Sequence, residues 1–156
     1  MSHSDLPQIT INYSPKLDLR IACVRAERYR PTGRIEYYFE VKCKLCHSSG
    51  KFEYSAAELC MDPDSFARFA KELHSVQQGG RKDAVLEGVT EMLELRLAGN
   101  PRKIQAELKI REYVSHHMAT LTAVLDVDYD LFVNKLAQEV ERFVAELRCV
   151  EPDDVG

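Results

Sequence analysis

The sequence contains no run of about 18 apolar residues, so no membrane-spanning helix is expected. Its opening, MSHSDLPQIT, lacks the positive start and apolar segment of a secretory signal, and a cytoplasmic location is expected. Basic residues are not in excess: 21 Lys and Arg stand among 25 Asp and Glu, for a formal net charge of -4. That balance speaks against a nucleic-acid partner, because phosphate contacts need a concentrated basic face. One basic cluster, Arg20, Arg25, Arg28, Arg30 and Arg34, reads as the solvated side of a strand. No GxSxG, HExxH, P-loop or GxGxxG pattern occurs, so no catalytic motif supports an enzyme.

What is present suits one domain spanning residues 1–156, with loose ends at 1–7 and 150–156. Hydrophobic residues make up 45% of the chain, enough for a core without a metal or disulfide as staple. The five cysteines, 23, 43, 46, 60 and 149, are odd in number and are expected to be reduced thiols.

Alternation with a period of two dominates the first half. QITINY offers Ile9, Ile11 and Tyr13 to one side, and LDLRIACVRAERY offers Leu19, Ile21 and Cys23 with Arg20 opposite. In YYFEVKCKLC, residues Tyr37, Phe39, Val41, Cys43 and Leu45 share one face while Tyr38, Glu40, Lys42, Lys44 and Cys46 share the other. HSSG then supplies a turn and KFEYSA resumes the alternation, which predicts a β-hairpin. DPDSFARFAKELHSVQQGG predicts a helix capped by Asp62, with Phe66, Phe69, Ala70 and Leu73 on its apolar side and Gly79-Gly80 at its end. EMLELRLA, RKIQAELKIRE and MATLTAVLDV predict three further strands, the last apolar enough to be expected at the centre of the sheet. A final helix, capped by Asp128, should bury Phe132, Leu136, Val140, Phe143 and Leu147. The expected fold class is α+β: an antiparallel β-sheet of about six to seven strands, one face wet, with two amphipathic helices on the other face, in the order strands-helix-strands-helix.

Three groups of residues invite a chemical reading. Cys43-Lys44-Leu45-Cys46-His47 has the letters of a haem attachment site and half of a zinc site. Residues three apart on a strand point to opposite faces, so the two thiols cannot both reach one ion at about 2.3 Å. A second ligand pair is missing, and Cys43 as a core residue with Cys46 as a pre-turn residue accounts for the pattern. Asp126-Val127-Asp128-Tyr129-Asp130 opens like an EF-hand loop, but Leu131 and Ala137 stand where Gly and Glu are required. Neither a metal nor another cofactor is therefore expected. His116-His117, between two strands and beside Tyr113, reads most simply as an exposed hairpin turn, and His74 as a surface residue on a helix flank.

The segments FARFAKELHSV, EMLELRLAGNPRKIQAELKI and LDVDYDLFVNKLAQEVERFV carry a resemblance. From about Phe66 to Leu147 the chain resembles the WapI-type immunity proteins and related small bacterial proteins. The shared features are an acidic-capped helix, an LEL-L strand and a last helix starting at Asp128, Tyr129 and Phe132. The resemblance implies a non-enzymatic protein that binds and neutralises a cognate bacterial toxin domain inside the cell. Contacts would then come from the wet face and loop rim: Lys42, Lys44, Lys103, Glu107, Lys109, Arg111, His116 and His117. The alternative is a small-ligand or enzymatic domain using His116, His117 or the cysteines.

Overall fold

In the computed structural model, residues 5–88 and 92–156 are described, apart from the side chains of His47 and Val114. The order is β1 (Gln8–Ser14), β2 (Leu17–Tyr29), β3 (Ile35–His47), β4 (Gly50–Met61), α1 (Pro63–Gln77), β5 (Asp83–Glu87), β6 (Leu93–Asn100), β7 (Lys103–Val114), β8 (His117–Val127), α2 (Leu136–Arg148) and β9 (Asp153–Val155). A wider π-helical turn, Asp130–Lys135, leads into α2.

The class is α+β, as expected, but the strands form two sheets rather than one of six to seven. The first runs β1-β2-β3-β4, with β9 beside β2; the second runs β5-β6-β7-β8. All the neighbour pairings are antiparallel except that of β9, which lies parallel to Glu27–Tyr29 of β2. Helix α1 falls between β4 and β5, and those two strands do not pair. Strand β5 escaped the sequence reading because it is five residues long and turns only Ala84 and Leu86 inward. The C-terminal tail, read as a loose end, has Val150 buried and places Asp153–Val155 on the first sheet.

Both sheets turn their apolar sides into one continuous core that the two helices share. Ile9, Ile11, Leu19, Ile21, Cys23, Phe39, Val41 and Cys43 come from the first sheet. Leu93, Leu95, Leu97, Ile104, Leu108 and Ile110 come from the second. A register break beyond Cys23 resets the alternation in β2, so that Ala26 is buried and Arg25 lies opposite Tyr38. Both predicted helix stripes are buried: Phe66, Phe69, Ala70 and Leu73 on α1, and Phe132, Leu136, Val140, Phe143 and Leu147 on the last helix. Asp62 accepts the Asp64 N–H at 2.9 Å, and Asp128 Oδ1 accepts that of Leu131 at 3.1 Å.

A polar chain fastens the helices along their outer seam. His74 Nδ1 meets Gln77 Oε1 at 2.8 Å, and Gln77 Nε2 donates to Asn134 Oδ1 at 2.7 Å. His74 Nε2 pairs with Glu141, which raises the imidazole pKa above 6.5; Gln77 adds to the rise and slight burial opposes it. A raised folded-state pKa gives stability that is present below the unfolded value and is lost as pH rises through the folded one. His74→Gln is therefore expected to lower Tm slightly below about pH 6 and not at about pH 8. The pair is well exposed, so the effect should stay under about 1 kcal/mol. Melting curves at the two pH values check it, and equal deficits at both would refute the assignment.

Strand β8 corrects a second expectation. Its apolar composition suggested a central strand, yet it pairs with β7 alone and forms the edge of its sheet. No helix among the described residues is long and apolar enough to cross a membrane.

Candidate interaction face

The thiols are governed by strand parity. Cys23 and Cys43 point into the core of the first sheet, whereas Cys46 and Cys60 are half-buried. Burial pushes the Cys23 and Cys43 thiols up to about 11, with a small opposing contribution at Cys23 from the Arg25 carbonyl. A thiol held that high is a poor nucleophile and a poor metal ligand. Cys43 and Cys46 thus lie in different settings on one strand, and the His47 side chain that would complete the motif lies outside the described residues. Among the described residues, no group of three or more His, Cys, Asp and Glu is placed to hold a metal ion.

His116 and His117 stand at the opposite end of the sequence logic. Val114 pairs with His117, so Ser115 and His116 are the two central residues of a tight hairpin turn. Both have positive φ, 47° and 70°, the geometry of the turns that match strand twist. His117 and His116 are exposed on the second sheet, while Cys23, Cys43, Cys46 and Cys60 belong to the first. The turn thus holds the histidines and the thiols on separate sheets.

The charged residues of the expected wet face divide in the same way. Lys42 and Lys44 sit on the outer side of the first sheet, opposite Arg20 and Asp18. Lys42 Nζ lies 3.2 Å from Glu40. Lys103, Glu107, Lys109 and Arg111 sit on the outer side of the second sheet. Lys109 Nζ lies 3.2 Å from Glu107, and cross-strand pairing puts Glu94 beside Lys109 and Arg96 beside Glu107. The single wet face of the sequence reading is two faces on two sheets, because α1 separates β4 from β5.

The second outer face holds something the sequence reading missed. Strands β7 and β8 run on beyond the core as a ribbon, and Glu112, Tyr113, His117, Met118, Ala119 and Thr120 are all exposed. Tyr113, 68% exposed, pairs across the ribbon with Met118, 47% exposed; Val124, 52% exposed, pairs with Glu107. These three are half of the six large hydrophobic side chains left exposed among the described residues. The signal was available: Tyr113 continues the outward parity of Lys103, Glu107, Lys109 and Arg111. Its hydrophobic character concealed it in a reading that sorted outward residues by charge.

The grooves carry less chemistry. One of about 740 Å³ lies between β2, β4 and the tail, lined by Val24, Arg25, Ala26, Glu58 and Pro152. Its arginine is already engaged: Arg25 donates to Glu58 at 2.5 Å and to Glu27 at 2.9 Å, and its guanidinium stacks 4.0 Å from the Tyr38 ring. Near the helix seam, the Tyr13 hydroxyl is buried with no hydrogen-bond partner among the described residues, and its ring stands edge-on to Phe132. Burial, then the nearby Glu139 carboxylate, holds its pKa above 10.0 despite the Arg142 charge.

No protein-family model matches the chain, and no curated protein matches it. Among solved structures, it is similar to a chain in the crystal structures of Trypanosoma bruciei MRP1/MRP2. The identity is 8% and the TM-score 0.38, over 90% of this chain and 85% of that one. A likeness at that level carries no argument about function.

Proposed function

We propose that this protein is a non-enzymatic binding module that docks a protein partner through the outer face of its second sheet, and that the partner is a cognate bacterial toxin domain. The observation that carries the reading is the joint exposure of Tyr113, Met118 and Val124 on one face that also bears Glu107, Lys109 and Arg111. Tyr, Met and Arg are enriched at protein interfaces, and an apolar centre with a charged rim is the usual interface anatomy. An exposed aromatic ring supplies large contact area and a flexible thioether adapts to the partner's shape, while the mixed charges select the partner and speed encounter. The toxin identity rests on the resemblance of Phe66–Leu147 to immunity proteins. Inhibition would be steric, with the ribbon covering the toxin's active site.

The test pairs this chain with a toxin domain encoded beside it. Wild type should form a stable complex and protect cells that express the toxin. Replacing both anchors, Tyr113→Ala with Met118→Ala, should weaken binding about 30- to 100-fold and abolish protection, as for interface anchor residues worth about 2 kcal/mol or more. Both side chains are exposed, so the variant should keep its Tm. Full protection by the double variant, or no binding by wild type, would overturn the proposal.

A further inference from the structure

The strand edges of this protein are protected unequally. An unpaired edge recruits other strands unless it is short, charged, broken or covered. Strand β1 is flanked by Pro7 and Pro15 and has a register break between Ile11 and Ser14. Strand β4 carries Lys51, Glu53 and Glu58 and has a break in its pairing with β3. Strand β5 is five residues long, with Asp83 and Glu87 at its ends, and its Val85 N–H donates to Glu72 at 3.2 Å. Strand β8 is the least protected: its one formal charge is Asp126, next to its last residue. It pairs with β7 over eleven consecutive positions without a break, and His117 to Leu125 contains no proline and no Asp, Glu, Lys or Arg.

We infer that the β8 edge is a self-association site, at which β8 of a second copy pairs antiparallel about a two-fold axis at Thr122. Residues opposite each other in an antiparallel pair must point to the same side, which limits the axis to positions that keep parity. With Thr122 facing Thr122, each larger side chain meets a smaller one. Leu121 faces Ala123, Leu125 faces Ala119, and Val124 faces Thr120. The same register brings the His116–His117 turn of one copy to the Asp126–Asp130 end of the other, where Asp126, Asp128 and Asp130 are all exposed. His116 thus falls opposite Asp128 at each end of the interface, while His117 faces Val127, and no like charges oppose each other within it. Ala123–Leu125 border a groove of about 580 Å³ whose other wall includes the Gly50–Phe52 end of β4. The paired copies would continue the second sheet across the axis.

Light scattering over a micromolar-to-millimolar concentration series tests the inference on the full chain. Wild type should reach twice the chain mass of 17.8 kDa. Thr122→Glu places like charges opposite each other on the axis, while facing Lys109 within its own chain, and should raise the dimer Kd by at least about tenfold. Its circular dichroism should match wild type, because Thr122 is exposed. A second variant, His116→Asp, sets a carboxylate opposite Asp128 and should also weaken the dimer. A wild-type mass of one chain at every concentration, or a dimer indifferent to both variants, overturns the inference.

Discussion

Phe143→Ala is expected to destabilise the protein by about 3–5 kcal/mol, a large part of the roughly 5–15 kcal/mol that holds a domain folded. Phe143 is 0% exposed and sits where three elements meet. Its ring packs edge-on to Phe66 of α1 at 5.1 Å and lies 6.2 Å from Phe39 of β3. Phe39 and Phe66 are themselves 5.6 Å apart. Truncation removes the ring's transfer energy and leaves a cavity that three fixed elements cannot close. Thermal melting should show Tm lower by about 6–20 °C, given about 2–4 °C per kcal/mol at this size. A conservative Phe143→Leu should recover much of the loss, because it refills most of the volume. A fall of under about 1 kcal/mol for Phe143→Ala would mean that this aromatic cluster is not the joint between sheet and helices.

Gly99→Ala is expected to cost about 2–4 kcal/mol, far more than a typical surface change. Gly99 lies near the end of β6 with φ +141°, a conformation that L side chains rarely adopt. An added Cβ would lie 2.2 Å from the Lys103 carbonyl oxygen and 2.9 Å from the Ile104 Cα, both backbone atoms that cannot swing aside. Gly99 pairs with Ile104 next to the Pro101-Arg102 turn, and its N–H also donates to the Lys82 carbonyl at 2.9 Å. Relief of the clash therefore requires the β6–β7 hairpin to shift. Gly50→Ala is the control: nothing lies within 4 Å of the Cβ position there, and Tm should barely change. Denaturant unfolding of the two variants checks the contrast, and equal stabilities would refute the backbone argument.

Much of the local structure was legible because burial imposes its period on the residues. A stripe at helical spacing named five of the eight buried positions from Phe132 to Leu147, missing Val133, Ala137 and Val144 at its flanks. Parity on β3 separated Cys43 from Cys46 without coordinates, since a strand sends residues three apart to opposite sides. Gly99 was not legible: its φ depends on how closely the next strand returns, and the sequence around it shows only an Asn-Pro turn. The interaction face was half legible. Lys103, Glu107, Lys109 and Arg111 were placed outward, but Tyr113 and Met118 belong with them only because the ribbon outruns the core beneath it.

The sequence by itself determined the inward stripes of β1, β3, β6, β7 and both helices, the Asp62 and Asp128 caps, and that the paired cysteines look apart. Those features follow from backbone period and capping, which are properties of a few neighbouring residues. Only the tertiary structure decided that the strands divide into two sheets, that apolar β8 is an edge, and that three hydrophobic side chains gather on one outer face. Alternation tells a strand which side is buried but not which strand lies next to it. That choice is made between segments distant in the chain, by the space α1 leaves between β4 and β5 and by the core that both sheets must share.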